Sequence, residues 1–360
     1  MSKEGERMKI VVLGGGISTE RHVSLVTATS ACKALRSLGH QAVFVDMFLG
    51  ISDYNKPLEE VFLEPDGLCG NAAIEKTEPD LEAVKKQRGE GCRGRIGKNV
   101  LELCKLADCV FLGLHGADGE DGKIQATLEL LNIPFTGSGS QASAIAMDKS
   151  IAKRIAESFG ILTPEWQEYI YDETDIDRLT REIEVPCVVK IVNGGSSIGV
   201  ELTDNKDELR KALGNMLAYG NHIVVEKKIS GREITVPVLD GKALSPIEII
   251  PPEGETFDYI AKYQSGKEGA AEICPAHLTS EEESLLRERA EHVHRSLGLR
   301  VYSRSDFILD AEGNVWFLEV NTLPGMTPNS LIPKAAAVAG LSYAELCERI
   351  VELSMAEKRE

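Results

Sequence analysis

The stretch that decides the fold reads Arg304-Ser-Asp306-Phe-Ile-Leu-Asp-Ala-Glu-Gly313-Asn-Val-Trp-Phe-Leu-Glu319-Val-Asn321-Thr-Leu-Pro-Gly-Met-Thr-Pro328. Its apolar runs, 305–309 and 315–320, predict two strands, and the turn between them gains a positive φ from Gly313. Side chains two positions apart on a strand point to one face, so Glu319 and Asn321 share a face. A hairpin would bring Asp306 beside them.

These three oxygen-bearing side chains lie at the ends of apolar strands, where burial without a cation or a partner costs free energy. Hard oxygen ligands without His or Cys suit magnesium, which usually also takes substrate phosphate oxygens. A hairpin with solvated acids is the simpler interpretation of any one of these acids alone. The complete set of Asp306, Glu319 and Asn321, followed by Thr-Leu-Pro-Gly-Met-Thr, favours a metal site.

This stretch resembles the metal-binding hairpin of ATP-grasp ligases, most closely that of the D-alanine–D-alanine ligase family. The resemblance covers about residues 9–355. It implies an α/β (α+β) ATP-grasp fold in which two α+β subdomains clamp ATP. The implied division is an N-terminal Rossmann-like substrate domain at 1–136, a central ATP-grasp subdomain at 137–226, and a C-terminal subdomain with a lid loop and the metal site at 227–360.

Composition restricts the class of protein. The chain has 360 residues, enough for two or three domains, and a net charge of −17 that argues against a nucleic-acid surface. An anionic substrate therefore needs local basic residues. The eight cysteines show no C-x-x-C spacing. Without a signal peptide or an apolar run of about 18 residues, the sequence predicts a reduced cytoplasmic protein with no membrane partner.

The first strand and helix carry a glycine-rich turn. Residues 9–13 predict a strand, 14–16 are three glycines, and an amphipathic helix runs to about Leu38. Thr19 breaks the Gly-x-Gly-x-x-Gly dinucleotide fingerprint, so the turn alone is a weak signal. Glu20 would lie in the first turn of the helix and could simply complement the helix dipole. Residues 18–25 match the family's N-terminal signature, which implies that Glu20 holds the ammonium of the first D-alanine.

A second motif, His115-Gly-Ala-Asp-Gly-Glu120-Asp-Gly, follows the buried strand 109–114, at the end of a strand where open α/β sheets place ligands. The resemblance implies that His115 lines the first D-alanine pocket. The run 133–135 predicts a last strand of this domain. Residues about 50–99 show no chemistry and are interpreted as an elaboration of the first domain or a dimer surface.

The nucleotide site is predicted from a loop and several lysines. Residues 193–199 form a Gly- and Ser-rich loop after a strand, and such a loop can offer N–H groups and hydroxyls to phosphates. It is not a Walker P-loop, because Gly-x4-Gly-Lys-Ser/Thr is absent from the sequence. It resembles the mobile glycine flap of ATP-grasp enzymes. The resemblance assigns ATP contacts to Lys149, Lys190, Ser197, Glu226 (adenine amino group), Lys227 and Ile229 (backbone), Glu233 (ribose) and Leu318 (base slot).

The remaining implied roles belong to catalysis. Residues 256–269 correspond to a lid loop, in which Lys262 lies near the phosphates and Tyr263 links with Ser196 and Glu20. Arg304 and the backbone N–H of Gly325 are the implied donors to an oxyanion. Ser330 would hold the second carboxylate, with Leu331 beside it.

The resemblance implies ATP-dependent joining of two D-alanines through D-alanyl phosphate. It also implies Mg²⁺, with two ions for which Mn²⁺ can substitute, and a homodimer. A D-alanine–D-lactate or D-alanine–D-serine ligase is the alternative within the fold. A non-catalytic ATP-binding protein is disfavoured by the intact set of charged residues, and a nicotinamide-dependent dehydrogenase is disfavoured by Thr19. The frame 272–276, which lacks the His that lactate-type relatives carry there, and the residues Met326 and Leu331 all resemble the D-alanine type.

Overall fold

The computed structural model describes residues 7–70, 72, 79–88, 93–195, 199–251 and 270–357. Within these residues three sheets are each covered by helices. The strands are β1 (Lys9–Gly14), β2 (Gln41–Asp46), β3 (Cys109–Leu112), β4 (Trp166–Ile170), β5 (Cys187–Ile191), β6 (Val200–Thr203), β7 (His222–Lys227), β8 (Arg232–Leu239), β9 (Lys242–Ala243), β10 (Ile247–Ile250), β11 (Ala271–Ile273), β12 (Tyr302–Leu309) and β13 (Val315–Asn321).

The helices alternate with these strands, as the predicted mixed α/β class requires. They are α1 (Arg21–Ser37), α2 (Leu81–Gln87), α3 (Val100–Leu106), α4 (Lys123–Leu130), α5 (Ser140–Met147), α6 (Lys149–Ser158), α7 (Ile176–Glu182), α8 (Lys206–Met216), α9 (Ser280–Ser296), α10 (Leu331–Val338) and α11 (Tyr343–Ala356). Short 3₁₀ turns occur at Leu58–Leu63, Gly116–Asp118 and Glu173–Asp175.

The first sheet is parallel, with strand order β2-β1-β3. Strand β1 is central and apolar along its length, as expected for a strand covered on both faces. Helix α1 ends near Gly39, whose φ of +96° lets the chain reverse into β2. The predicted strand at 133–135 is reduced to a single parallel bridge between Phe135 and Val110, so that expectation is only partly met.

The second sheet is antiparallel, in the order β4-β7-β5-β6, and α7 and α8 pack on it. The third sheet has the order β11-β10-β8-β12-β13, with β9 added to β8. Helices α5, α6 and α9 cover the third sheet and share one apolar core with it. Lys190 and Glu226 therefore lie on the second sheet and the β12–β13 hairpin on the third, and α6 contacts both sheets.

The C-terminal helix α11 returns to the first sheet. Its buried residues Leu346, Ile350 and Val351 belong to the same core as β1 and α1. A capping box starts the helix: the Ser342 hydroxyl accepts the Glu345 N–H, and the Glu345 carboxylate accepts the Ser342 N–H. The end of the chain thus ties the first sheet to the segment that follows the β12–β13 hairpin.

Cys32 on α1 and Cys69, 37 positions apart, are joined by a disulfide. The expectation of a fully reduced chain is therefore wrong at this pair. The two residues approach only because the segment after β2 folds back onto α1, a contact that cysteine spacing does not encode. Among the described helices, none has the length and apolar character needed to cross a membrane.

Candidate active site

The predicted hairpin is formed by β12 and β13. Their pairing places Asp306 opposite Glu319 and Arg304 opposite Asn321, with a β-bulge directly after Asp306. Gly313 has a φ of +82° in the turn. The predicted juxtaposition of the three oxygen-bearing side chains is confirmed.

Asp306 is held by three neighbouring side chains. Arg304 donates from Nε to Oδ1 at 3.0 Å and from Nη2 to Oδ2 at 2.9 Å. Thr235 on β8 donates its hydroxyl to Oδ1 at 2.5 Å, and Asn321 Nδ2 lies 3.4 Å from Oδ2. Because a bidentate guanidinium contact fixes both groups, Asp306 and Arg304 have defined positions at the end of the sheet.

Lys149 connects the hairpin to the Gly-rich loop. This lysine is the first residue of α6, is buried, and places its Nζ 3.3 Å from Glu319 Oε2. The same Nζ donates to the carbonyl oxygen of Gly194 at 2.5 Å. Lys149, Gly194, Gly195, Glu319 and Asn321 line one small pocket. One ammonium group therefore lies between the predicted metal ligands and the predicted phosphate loop.

The donor set at the hairpin fits Mg²⁺. Asp306 and Glu319 supply carboxylate oxygens and Asn321 a carboxamide, with Arg304 and Lys149 as the neighbouring cations. Among the described residues, no three His, Cys, Asp or Glu side chains are grouped so that they could hold a metal. The candidate site has two carboxylates and one carboxamide, and its other ligands would come from water and phosphate.

A buried charge cluster lies on the nucleotide side. Glu226 on β7 has one carboxylate oxygen 2.8 Å from Lys190 Nζ and the other 3.1 Å from Lys153 Nζ. Burial alone would raise the pKa of Glu226, but the charges of Lys153 and Lys190 outweigh it and hold that pKa below its usual value. Glu226 is therefore a carboxylate with two fixed cations.

The other predicted base-side residues lie on two sheets. Lys227 is exposed, and its N–H donates to the Glu165 carbonyl at 2.7 Å. Ile229 is half-buried in the connection between β7 and β8. Glu233 lies on β8 opposite Ile308 of β12, and Leu318 is half-buried on β13. The connection therefore runs between Glu226 on one sheet and Glu233 on the other.

Glu20 is buried and occupies the N-cap position of α1 without a side-chain capping hydrogen bond, one position before the first helical turn in which it was expected. A Cβ on Gly116 would come within 2.8 Å of Glu20 Oε2, and a Cβ on Gly195 within 3.2 Å. The carboxylate thus lies against both the turn after β3 and the Gly-rich loop. Glycines at these two positions leave room for it.

His115 and Glu120 lie at the same turn and both reach Leu323, just after the hairpin. His115 Nδ1 is 2.9 Å from the Leu323 carbonyl oxygen, and the Leu323 N–H donates to Glu120 Oε1 at 3.4 Å. Burial lowers the pKa of His115, an effect that the charge of Glu20 opposes. Burial and then the charge of Glu20 raise the pKa of Glu120 to about 8.

Gly325 and Ser330 are also neighbours. A Cβ on Gly325 would lie 3.0 Å from Ser330 Oγ, so the backbone approaches the hydroxyl closely. Ser330 Oγ accepts the Thr327 N–H at 3.1 Å, and Ser330 is the residue before α10, which begins at Leu331. The structure therefore brings together Gly325, Ser330 and Leu331.

Two family models cover most of the chain. Residues 9–138 match the model described as D-ala D-ala ligase N-terminus, and residues 155–352 match D-ala D-ala ligase C-terminus. The chain belongs to the D-alanine–D-alanine ligase family. The sequence-based assignment to this family, and to its mixed α/β ATP-grasp fold, is confirmed.

Relatives match over nearly their whole length. A D-alanine–D-alanine ligase from Pediococcus pentosaceus is 40% identical over 349 residues, covering 96% of this chain and 97% of the relative. The crystal structure of a D-alanine–D-alanine ligase from Bacillus anthracis complexed with ATP is 30% identical, with a TM-score of 0.70 and 97% of each chain covered. A D-Ala:D-Ser ligase structure from Enterococcus faecalis is 25% identical, with a TM-score of 0.73, covering 97% of this chain and all of that one (100%).

Some residues that the family resemblance implies lie outside the described part of the chain. They are Ser196 and Ser197 of the Gly-rich loop and Lys262 and Tyr263 of the lid loop. Two residues with clear positions were not predicted as part of the site, Glu120 and Lys153. Glu120 stands in the motif after β3 and could have been found there. Lys153 has the pattern of an ordinary helix-surface lysine, and only the packing of α6 shows that it is fully buried.

Proposed function

We propose that this protein joins two D-alanines into D-alanyl-D-alanine with hydrolysis of ATP to ADP, through D-alanyl phosphate, for peptidoglycan precursor synthesis. The observation that carries the proposal is the position of Lys149, which links Glu319 of the hairpin to Gly194 of the Gly-rich loop. Glu20 lies against the next residue of that loop, Gly195. The residues that we propose for the ammonium, phosphate and metal sites are thus adjacent.

In the first step a carboxylate oxygen of D-alanine attacks the γ-phosphorus of ATP, and the bond to the ADP oxygen breaks. Such transfers depend on positioning and on neutralising charge. Lys149 and Lys190 are buried cations available for the phosphates, and Glu20 holds the ammonium of the first D-alanine. Glu226, Glu233, Leu318 and the backbone near Lys227 and Ile229 hold the adenosine.

Mg²⁺, as two ions for which Mn²⁺ can substitute, would be held by Asp306, Glu319 and Asn321. When bound, it supplies positive charge to the phosphate oxygens. The carboxylates are already oriented by Arg304, Thr235 and Lys149, so the chain's own contacts hold the ligands in place. That orientation is what the protein contributes at this point.

In the second step the amine of the other D-alanine attacks the acyl carbon, phosphate leaves and the amine loses a proton. The carbonyl oxygen gains negative charge, and Arg304 with the N–H of Gly325 donates to it. Removing such a donor costs roughly 3–4 kcal/mol. Ser330, beside Gly325, holds the second carboxylate and Leu331 packs near it. Ser196, Tyr263 and Lys262 belong to the parts that close over the reactants, and Ser197 contacts the phosphates.

We further propose that the protein acts in the cytoplasm as a homodimer. The proposed domains are 1–136, 137–226 and 227–360, with the nucleotide between the last two. His115 belongs to the first D-alanine pocket, a role refined below.

The direct test is phosphate release from ATP with Mg²⁺, with and without D-alanine, and identification of the product by mass. D-Alanine-dependent release together with a product of dipeptide mass is the expected result. Release that does not depend on D-alanine, or the absence of dipeptide, would overturn the proposal.

A further inference from the structure

The turn after β3 contacts both the carbonyl oxygen and the N–H of Leu323. His115 Nδ1 lies 2.9 Å from the Leu323 carbonyl oxygen across 208 positions, and Glu120 accepts the Leu323 N–H across 203. All three residues are buried. Glu120 also accepts the Gly116 N–H at 2.9 Å, which fixes its carboxyl group to the same turn.

The protonation pattern of His115 follows from its two partners. A carbonyl oxygen only accepts, so the Nδ1 that faces Leu323 must carry the proton. Thr27 lies 2.9 Å from Nε2. In a neutral ring Nε2 is an acceptor, so the Thr27 hydroxyl donates to it. Burial lowers the pKa of His115, which agrees with a neutral ring. Both ring nitrogens are therefore engaged by the protein.

The backbone between Leu323 and Gly325 is restricted. The intervening residue is Pro324, whose ring fixes its own φ and restricts the residue before it. On the far side, Ser330 Oγ would lie 3.0 Å from a Cβ at Gly325. Of the two backbone torsions between the Leu323 carbonyl and the Gly325 N–H, the Pro324 ring fixes φ, so the position of Leu323 restricts where that N–H can lie.

We infer that His115 and Glu120 are positioning residues, which hold Leu323 and thereby aim the Gly325 N–H at the oxyanion. His115 does not use its ring nitrogens to bind D-alanine. The inference rests on the proposed function, because the oxyanion to which the Gly325 N–H donates forms only in that reaction. If His115 only lined the pocket, its loss would weaken D-alanine binding. If His115 is a positioning residue, its loss slows amide formation instead.

Two substitutions of His115 separate the two contacts. In His115→Asn the amide nitrogen occupies the place of Nδ1 and can still donate to Leu323. In His115→Gln the amide reaches the place of Nε2, keeps the contact with Thr27 and loses the one with Leu323. We expect kcat for dipeptide formation to be roughly tenfold or more higher in the Asn variant than in the Gln variant, because only the Asn variant keeps the contact with Leu323. It should fall roughly a hundredfold in the Gln variant, with little change in KM for D-alanine, since a small misplacement costs about that much.

A second measurement isolates the step. Scrambling of ¹⁸O from the β,γ-bridge of labelled ATP, in the presence of D-alanine, reports phosphoryl transfer without amide formation. It should persist in His115→Gln while dipeptide formation falls. Absence of D-alanine-dependent phosphate release in the wild-type protein would instead reject the proposed function. Equal increases in KM for D-alanine in both variants with kcat preserved, or wild-type kinetics in both, would overturn the positioning role.

Thr27→Val is the variant to use if His115→Gln does not fold. Valine has the shape of threonine but removes the hydroxyl that donates to Nε2, so the ring loses one of the two hydrogen bonds that fix its orientation. A fall in kcat of roughly threefold or more, at unchanged KM for D-alanine, supports the inference. Unchanged kcat in this variant contradicts it.

Discussion

Lys153 and Glu226 form an ion pair with no measurable solvent exposure of the lysine (0%), in which Nζ lies 3.1 Å from Oε1. Lys190 holds the other oxygen of the same carboxylate. Each oxygen of the Glu226 carboxylate therefore has its own lysine, and the two ion pairs fix its orientation.

Replacing Lys153 with Met should destabilise the protein and weaken nucleotide binding. Removing one partner of a buried ion pair typically costs about 3–5 kcal/mol, and the remaining contact with Lys190 should place the loss near the lower end. Urea unfolding and the KM for ATP measure the two effects. Arg154→Met is the matched control, because this neighbour is exposed on the same helix and pairs with Glu168 at the surface. Equal losses in both variants would argue against a special role for Lys153.

Glu319→Gln should leave the fold intact and lower turnover by orders of magnitude. The amide keeps the shape of the side chain but loses the charge that pairs with Lys149 and that the proposed Mg²⁺ would use. Turnover at saturating Mg²⁺ and the Mg²⁺ concentration for half-maximal rate are the measurements. Glu312→Gln in the exposed turn of the same hairpin is the control and should keep wild-type turnover. Wild-type-like turnover in the Glu319 variant would remove this residue from the mechanism.

Glu120 should make stability depend on pH. Its folded pKa of about 8 lies above the ordinary value of 4.5, so the folded state binds this proton more tightly than the unfolded state does. The resulting stability is complete below about pH 4.5 and is lost as pH rises through about 8. The difference in unfolding free energy between Glu120→Gln and wild type should therefore shift in favour of Gln over this range. Urea titrations at several pH values measure how the free energy of unfolding of each protein changes with pH. If the two proteins show the same change, the prediction is wrong.

The second substrate should be D-alanine. D-Alanine attacks through an amine and D-lactate through a hydroxyl, and amide formation strengthens as pH rises toward the amine pKa. The frame 272–276 and the residues Met326 and Leu331 resemble the D-alanine type. Competition at pH about 7–8 should give mainly D-alanyl-D-alanine, with product masses as the measurement. Mixed products from equimolar D-lactate or D-serine in amounts equal to the dipeptide would make the subtype assignment wrong.

The sequence by itself determined the hairpin and its acids. The proximity of Asp306, Glu319 and Asn321 could be predicted from the two-residue alternation of a strand and from one turn, because both signals involve residues close in sequence. The end of α1 near Gly39, and the strand that precedes this helix, followed in the same way. The match of motifs to a known family then supplied the identity of the ligase, which no local pattern could give.

Only the tertiary structure decided which residues that are distant in sequence contact each other. The carboxylate of Glu226 with Lys153, Leu323 with His115, and Cys32 with Cys69 all join residues whose own segments give no sign of the contact. A lysine on an amphipathic helix is usually solvated, and a histidine after a strand has no fixed tautomer. Burial and partner geometry arise when separate sheets and helices pack, so they exist only once the whole chain has folded.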